Sequence, residues 1–199
     1  MTLSKRITSA LAASSLLFAG GFTTASNATK WKLDASHSQI IFSYNHLGYS
    51  TTYGRFSGFD GTINFDPENP TAASVNVEIP TESLITGWPQ RDTHFLTADF
   101  FDKDAAPAIT FTSTEIEVTG DNTANITGDL TMNNVTKPVV LETTFNGASE
   151  HPMQNKPWAG FDAKTTILRS DWDMGQFAPF VSDEVEIRIS IEAEAAASS

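Results

Sequence analysis

The chain has 199 residues, which favours a single domain, and 40% of them are hydrophobic, as in ordinary globular proteins. Its 24 acidic and 12 basic residues give a net charge of -12, the wrong sign for neutralising nucleic-acid phosphates or binding an anionic membrane surface. The absence of cysteine excludes disulfides, thiol catalysis, cysteine-ligated metal sites and a cysteine-linked lipid anchor.

Residues 1–28 have the pattern of a cleavable secretory signal peptide. Lys5 and Arg6 precede an apolar stretch over 7–22, and small residues follow at 26–28. A membrane anchor is the alternative, but the stretch is shorter than the roughly 20 residues that span a bilayer. We therefore expect export to a bacterial periplasm. Cleavage would leave 10 basic and 24 acidic residues, a net charge of -14. No later segment is long enough for stable membrane insertion.

Residues 29–192 are dominated by alternation of apolar and polar side chains, the pattern of half-buried β-strands. The clearest example places Val185, Ile187, Ile189 and Ile191 on one face and polar residues on the other. Similar runs recur around residues 40–44, 63–65, 75–79, 109–118, 126–132, 139–145 and 161–167. With turn signals between them, they predict an antiparallel all-β domain of about eight to ten strands.

Two segments break this pattern. Residues 82–104 lack alternation, and Asp92 or Thr93 could cap a short helix that runs to Phe100 or Phe101. Residues 193–199 (AEAAASS) have no apolar face, so we expect a flexible C-terminal tail. The predicted organisation is one folded domain over 29–192.

The strand pattern is compatible with a two-sheet sandwich and with a closed barrel, whose interior can hold one small ligand. Many phenylalanines have Gly, Ser or Thr neighbours, as at Phe56, Phe111 and Phe161. These rings either fill a core or line a ligand cavity.

Several short segments, in this order and spacing, resemble the YceI-like family, also called the polyisoprenoid-binding or lipid-binding periplasmic family. They cover nearly the whole of the predicted domain. The segments are 31–40 (WKLDASHSQI), 54–58 (GRFSG), 91–96 (RDTHFL), 99–102 (DFFD), 107–111 (PAITF), 128–132 (GDLTM), 135–139 (VTKPV), 160–163 (GFDA), 167–171 (ILRSD) and 181–185 (VSDEV).

The resemblance implies an extended lipocalin-like antiparallel β-barrel of about eight strands, with a short helical segment near residues 83–101. It also implies an apolar tunnel that holds an isoprenoid or similar long-chain lipid non-covalently, with no other cofactor and no metal. The sequence departs from the family pattern at Asn133 and Asn134, and at the longer segment 173–175.

Flexible and aromatic side chains suit a long, irregular apolar ligand, and packing without ligand contact is the alternative for each of them. The residues expected to face the tunnel are Phe42, Tyr44, Phe56, Phe111, Leu130, Met132, Leu168, Phe177 and Phe180.

A polar head group needs hydrogen-bond donors. Arg91, His94 and Arg169 are the candidates, and Asp92 could orient one of them. Alternatively, Arg91 and Asp92 form a structural network with Asp171 or Asp173 that fixes the helical segment to the barrel.

No catalytic or metal motif stands out. The four histidines show no spacing typical of metal ligands, and there is no nucleophile elbow or phosphate-binding loop. Asp34, Ser36 and His37 contain the residue types of a catalytic triad, but as sequence neighbours near a strand they are not expected to converge.

Two hypotheses remain for the function. The first is a periplasmic carrier of a hydrophobic small molecule such as an isoprenoid quinone or a polyprenyl phosphate. The second is an enzyme that uses Arg91, Asp92 and His94 on a lipid-derived substrate. A homodimer is compatible with the resemblance.

Overall fold

The computed structural model describes residues 28–196, which form eleven strands and one α-helix. The strands are β1 (Thr29–Leu33), β2 (Gln39–His46), β3 (Ser50–Phe56), β4 (Asp60–Phe65), β5 (Ser74–Pro80), β6 (Leu84–Ile85), β7 (Ala108–Gly120), β8 (Thr123–Met132), β9 (Val135–Glu150), β10 (Pro157–Leu168) and β11 (Glu184–Ala195). The helix is α1 (Pro89–Phe95), and short 3-10 turns cover Pro70–Ala72, Thr81–Ser83 and Arg169–Trp172.

The strands close into one antiparallel barrel. Three pairs of strands lie end to end, and each pair acts as one long strand: β1 with β2, β4 with β3, and β5 with β6. In this arrangement β1 pairs with β4, β2 pairs with β3, and β3 pairs with β6. β11 pairs with β10 along one edge and with β2 and β1 along the other. The result is a ring of eight long strands, which confirms the predicted barrel and excludes the sandwich.

Two strand glycines let aromatic rings lie close to the barrel wall. A Cβ atom on Gly54 would be 2.2 Å from Cζ of Phe42, and one on Gly128 would be 2.4 Å from Cζ of Phe111. A larger residue at either position would therefore push the ring aside.

The helix begins and ends earlier than the sequence predicted. Pro89 occupies the first turn, where its missing N–H costs no hydrogen bond, and the helix ends at Phe95. Asp92 does not cap the helix, because its carboxylate accepts hydrogen bonds from Thr86. The predicted start at residues 92–93 and end at 100–101 are therefore wrong, although the helix lies within the expected segment.

The C-terminal strand also extends further than expected. Ala193 is completely buried, and residues 193–195 pair with residues 31–33 of β1. The prediction of a flexible tail is wrong for these three residues, because alternation continues through Ile191 and Ala193 and the ladder with β1 closes the barrel there. Residues 1–27 and 197–199, and with them nearly all of the predicted signal peptide, lie outside the described residues.

The described chain contains no helix of the length and apolar character needed to cross a bilayer.

The turn between β8 and β9 accounts for one departure from the family pattern. Asn133 and Asn134 both have positive φ angles, 48° and 60°, as a two-residue type I′ hairpin turn requires, and asparagine tolerates this conformation. Their side-chain amides donate to the carbonyl oxygens of Trp172 and Ala105, each at 3.1 Å. The pair therefore ties the hairpin to the loops around the helix end of the barrel.

Candidate ligand-binding cavity

The barrel encloses two adjoining chambers. The helix-side chamber has a volume of about 400 Å³ and lies against α1, and the turn-side chamber has about 360 Å³ and extends toward the β7–β8 turn. Ile40, Phe56, Met132 and Ile187 line both chambers and form what we call the waist. The two chambers therefore adjoin at these four side chains and together extend along the barrel.

The helix-side chamber combines aromatic walls with a polar mouth. Phe95 and Phe100 pack with ring centroids 4.9 Å apart, and the Phe56 and Phe101 rings meet edge to face at 5.8 Å. No carboxylate is among the residues that line this chamber. The polar lining residues are His46, Gln90, Arg91, His94, Arg169 and Gln176.

The turn-side chamber is lined mainly by aliphatic and aromatic groups. Phe65, Phe145 and Phe161 form a three-ring cluster with centroids 5.0 to 5.5 Å apart. Residues 120–123, which include Asp121, lie at the far end of the chamber. Its interior can accommodate an apolar chain, but its end carries an acidic group.

Most of the predicted apolar site residues lie on the cavity. Phe42, Tyr44 and Phe177 line the helix-side chamber, Phe111 and Leu130 line the turn-side chamber, and Phe56 and Met132 belong to the waist.

Leu168 and Phe180 do not line either chamber. Leu168 is 43% exposed, because strand alternation directs its neighbour Ile167 into the helix-side chamber. The sequence run that ends at Ile167 already predicted this outward orientation. Phe180 is 76% exposed and lies beside the β2–β3 turn, where its carbonyl accepts a hydrogen bond from the Leu47 backbone.

Arg169 lines the helix-side chamber, but its guanidinium is bonded to the protein itself. It donates to the carbonyl oxygens of Met174, Gln176 (2.8 Å), Val181 (2.9 Å) and Ser182 (2.9 Å). Desolvation by burial lowers the pKa of Arg169, and Asp183 and Tyr44 oppose that shift. This cation holds the loop over residues 174–182 against the barrel and is a poor candidate for a head-group donor.

Arg91 and Asp92 meet at a third residue, Thr86. The Thr86 hydroxyl donates to the Asp92 carboxylate and accepts from Nε of Arg91 at 2.9 Å. Arg91 also donates to the Thr86 carbonyl at 3.1 Å and lines the chamber, whereas Asp92 does not. Within the described chain no ion pair joins Arg91 to Asp92, Asp171 or Asp173. The predicted network with Asp171 or Asp173 is therefore replaced by one in which Thr86 links Arg91 and Asp92.

His94 lies on the lining beside Arg91. Its Nε2 is 3.1 Å from the Asp99 carboxylate, and its ring meets Phe100 edge to face at 5.2 Å. Both His94 and Asp99 are about half exposed, which places this pair at the mouth.

Sequence reasoning missed several lining residues. Trp88, Phe95 and Phe100 flank or belong to α1, and Met174 and Gln176 lie in the loop that Arg169 holds. These segments have no alternation from which an inward face could be predicted. The Trp88-Pro89 pair, as a helix start, is the one signal that could have placed the helix over the cavity.

One sequence conclusion about the outer wall is wrong. Ser36 Oγ lies 2.6 Å from Oδ1 of Asp34 and 3.1 Å from Nδ1 of His37, which itself lies 2.5 Å from Oδ2 of Asp34. The three side chains converge because residues 34–38 form a turn and not a strand. They do not form a catalytic relay, since serine and aspartate share the same ring nitrogen.

The structure also brings Glu192 to this cluster, a residue too distant in sequence for any spacing rule to find. One carboxylate oxygen of Glu192, one carboxylate oxygen of Asp34 and one ring nitrogen of His37 lie within 4.8 Å of one another.

Comparison with known proteins assigns the fold to a family. The model of the YceI-like domain matches residues 31–193. The chain is 42% identical over 180 residues to protein YceI of Escherichia coli, covering 89% of this chain and 92% of that one.

Solved structures give the same result. The barrel is similar to Burkholderia cenocepacia BcnA, with a TM-score of 0.74, 25% identity and coverage of 80% of this chain and 98% of that one. It also resembles a polyisoprenoid binding domain from Saccharophagus degradans, with a TM-score of 0.64, 14% identity and coverage of 85% and 99%. The match over 31–193 and the 42% identity to protein YceI, together with the barrel fold, establish that this chain belongs to the YceI-like family.

Proposed function

We propose that this protein is a periplasmic carrier that binds one long-chain isoprenoid lipid inside its barrel. The observation that carries the proposal is the elongated apolar cavity formed by two chambers that share the waist residues. Export to the periplasm is supported by the signal-peptide pattern of residues 1–28. The S. degradans relative, described as a polyisoprenoid binding domain, supports the class of ligand.

The dimensions of the barrel suit an extended chain. Strand β11, with 12 residues and a length of roughly 40 Å, runs along both chambers. Val185 lines the helix-side chamber, Ile187 lines both, and Ile189 and Ile191 line the turn-side chamber. Burial of about a dozen methylene-sized groups at about 0.8 kcal/mol each would contribute on the order of 10 kcal/mol before ordering costs. The tail of the lipid therefore supplies most of the affinity.

The head group belongs at the mouth of the helix-side chamber. Arg91 and His94 are its cationic or hydrogen-bonding groups, Gln90 and Gln176 add amides, and no carboxylate lines this chamber. Such a mouth accepts a neutral carbonyl-bearing ring or a phosphate. Asp99 lies at the same mouth, where its carboxylate is bonded to His94.

The enzyme alternative is less well supported. Arg91 and His94 line the helix-side chamber and His94 pairs with Asp99, but no serine, threonine or lysine among the lining residues could act as a nucleophile. Asp92, which that hypothesis needs in the site, binds Thr86.

Native mass spectrometry of protein incubated with a bacterial membrane extract tests the proposal. We expect one long-chain lipid per protein chain, recovered chemically unchanged after extraction with organic solvent. An empty barrel would contradict the carrier, and a chemically altered product would favour the enzyme. The predicted homodimer is tested by light scattering on the same sample.

A further inference from the structure

The outer wall of the barrel carries the turn that joins β1 to β2. Between β1 and β2, the five residues 34–38 face only two residues of β11. Backbone and hydroxyl groups hold this turn over Glu192: Asp34 N donates to the Glu192 carbonyl at 2.9 Å, and Ser38 Oγ accepts from Glu192 N at 2.8 Å. The side chain of Glu192 takes no part in these two bonds.

The side chains above this point bring three metal-ligating groups together. One ring nitrogen of His37 and one carboxylate oxygen each from Asp34 and Glu192 lie within 4.8 Å of one another. The two carboxylates are partly buried and His37 is exposed, so an ion could enter from solvent. No lysine or arginine of the described chain forms an ion pair with Asp34 or Glu192.

Neighbouring donors orient both carboxylates. Trp158 Nε1 donates to Oε2 of Glu192 at 2.7 Å. Ser36 donates to Oδ1 of Asp34 from its backbone at 3.0 Å and from its hydroxyl at 2.6 Å, so Oδ2 faces His37. Burial raises the pKa of Asp34, but hydrogen bonds from Ser36 and His37 outweigh it and lower the pKa overall. Outer hydrogen bonds of this kind fix the ligands of metal sites.

We propose that Asp34, His37 and Glu192 bind a divalent transition-metal ion on the outer wall of the barrel. One imidazole nitrogen and two carboxylate oxygens suit Zn²⁺ or a neighbouring first-row ion, and three protein ligands leave room for water. With a neutral imidazole the donor set carries two negative charges, which a divalent ion balances. The ion takes the place of the proton between His37 and Asp34, and that proton is released to solvent.

Isothermal titration of the purified, EDTA-treated protein with ZnCl2 tests the site. We expect one ion per chain, with binding weakened at least about tenfold by His37→Ala and by Glu192→Gln. Glu186→Gln is the matched control, since Glu186 is an exposed carboxylate on the same strand and the same face. Its affinity should equal that of the unaltered protein.

Trp158→Phe separates a metal site from a merely structural turn. It keeps all three ligands and removes the hydrogen bond to Glu192, so we expect affinity to fall by about tenfold through loss of positioning. Thermal unfolding in EDTA and in Zn²⁺ gives a second readout. Zn²⁺ should raise the Tm of the unaltered protein and of Glu186→Gln by more than it raises that of the Trp158→Phe, His37→Ala or Glu192→Gln variant.

The proposal is overturned if the unaltered protein shows no saturable binding near one equivalent. It is also overturned if Glu192→Gln binds as tightly as Glu186→Gln. Should His37→Ala fail to fold, Glu192→Gln still decides, because the backbone of residue 192, and not its side chain, holds the turn.

Discussion

The two chambers of the barrel are nearly equal in volume but differ in chemistry. The helix-side chamber has Arg91 and His94 at its mouth, with Asp99 bonded to His94, and no carboxylate on its lining. The turn-side chamber is apolar inside and ends near Asp121. For the proposed carrier, this difference favours an orientation with the head group under α1 and the tail across the waist.

The strongest way to break this arrangement is to block the waist. Met132→Trp adds bulk where the chambers join, so the tail can no longer reach the turn-side chamber. Loss of about six buried methylene-sized groups corresponds to about 5 kcal/mol, so retention of a long-chain lipid should fall by a hundredfold or more. Native mass spectrometry with polyprenols of different lengths measures this, and short chains that fill one chamber should still bind.

Leu168→Trp is the matched control for that change. The same bulk is added to a residue that is 43% exposed and lines neither chamber, so lipid retention should not change. Equal loss of long and short chains in Met132→Trp, with the fold intact by circular dichroism, would contradict a continuous two-chamber cavity.

The wall of the helix-side chamber depends on Arg169. Arg169→Met leaves several loop carbonyls without their donor, so we expect the free energy of unfolding to fall by about 3 kcal/mol. Urea denaturation measures the change. Arg188→Met is the control, because Arg188 is exposed on the outer face and should change stability by less than about 0.5 kcal/mol. Equal stability of the two variants would show that the loop does not need this cation.

Arg91 should affect the ligand more than the fold. Arg91→Gln removes a charged donor from the mouth, so binding of a polyprenyl phosphate should weaken by about tenfold to a hundredfold, while binding of the matching alcohol changes little. Competition binding with a fluorescent lipid measures both, with Lys164→Gln on the outer wall as the control. An equal loss for phosphate and alcohol would mean that Arg91 acts only through its bonds to Thr86.

The smallest effect is expected at the β8–β9 turn. Asn134 has a φ of 60°, which costs alanine about 1 kcal/mol, so Asn134→Ala should lower the free energy of unfolding by that amount. Asn134→Gly tolerates this φ and should lose less. Lipid retention should be unchanged in both, since Asn134 lines neither chamber. Weaker retention in either variant would place the turn in the binding site.

Alternation in the sequence predicted the regular part of the molecule well. The barrel follows from strand periodicity and family resemblance, and the inward face of β11 is the one predicted from Val185 to Ile191. Leu168 was predicted to face the tunnel from its side-chain type alone. The alternation of its own strand already indicated that it faces outward.

Irregular segments were the part that sequence could not predict. From the sequence, Arg169 is a good candidate for a donor to the head group. In the structure its guanidinium instead donates to carbonyl oxygens of the surrounding loop. Likewise, α1 and the 174–182 loop supply much of the helix-side lining without any periodic pattern, and Glu192 meets His37 only because β11 runs beside the β1–β2 turn.

Photo-crosslinking with an isoprenoid lipid that carries a diazirine at the end of its tail tests the orientation most directly. Peptide mapping by mass spectrometry identifies the labelled residues. We expect labelling of the turn-side chamber, at residues such as Leu141, Phe145 and Phe161. Labelling confined to α1 and the 174–182 loop would contradict it, because the tail would then lie where we place the head group.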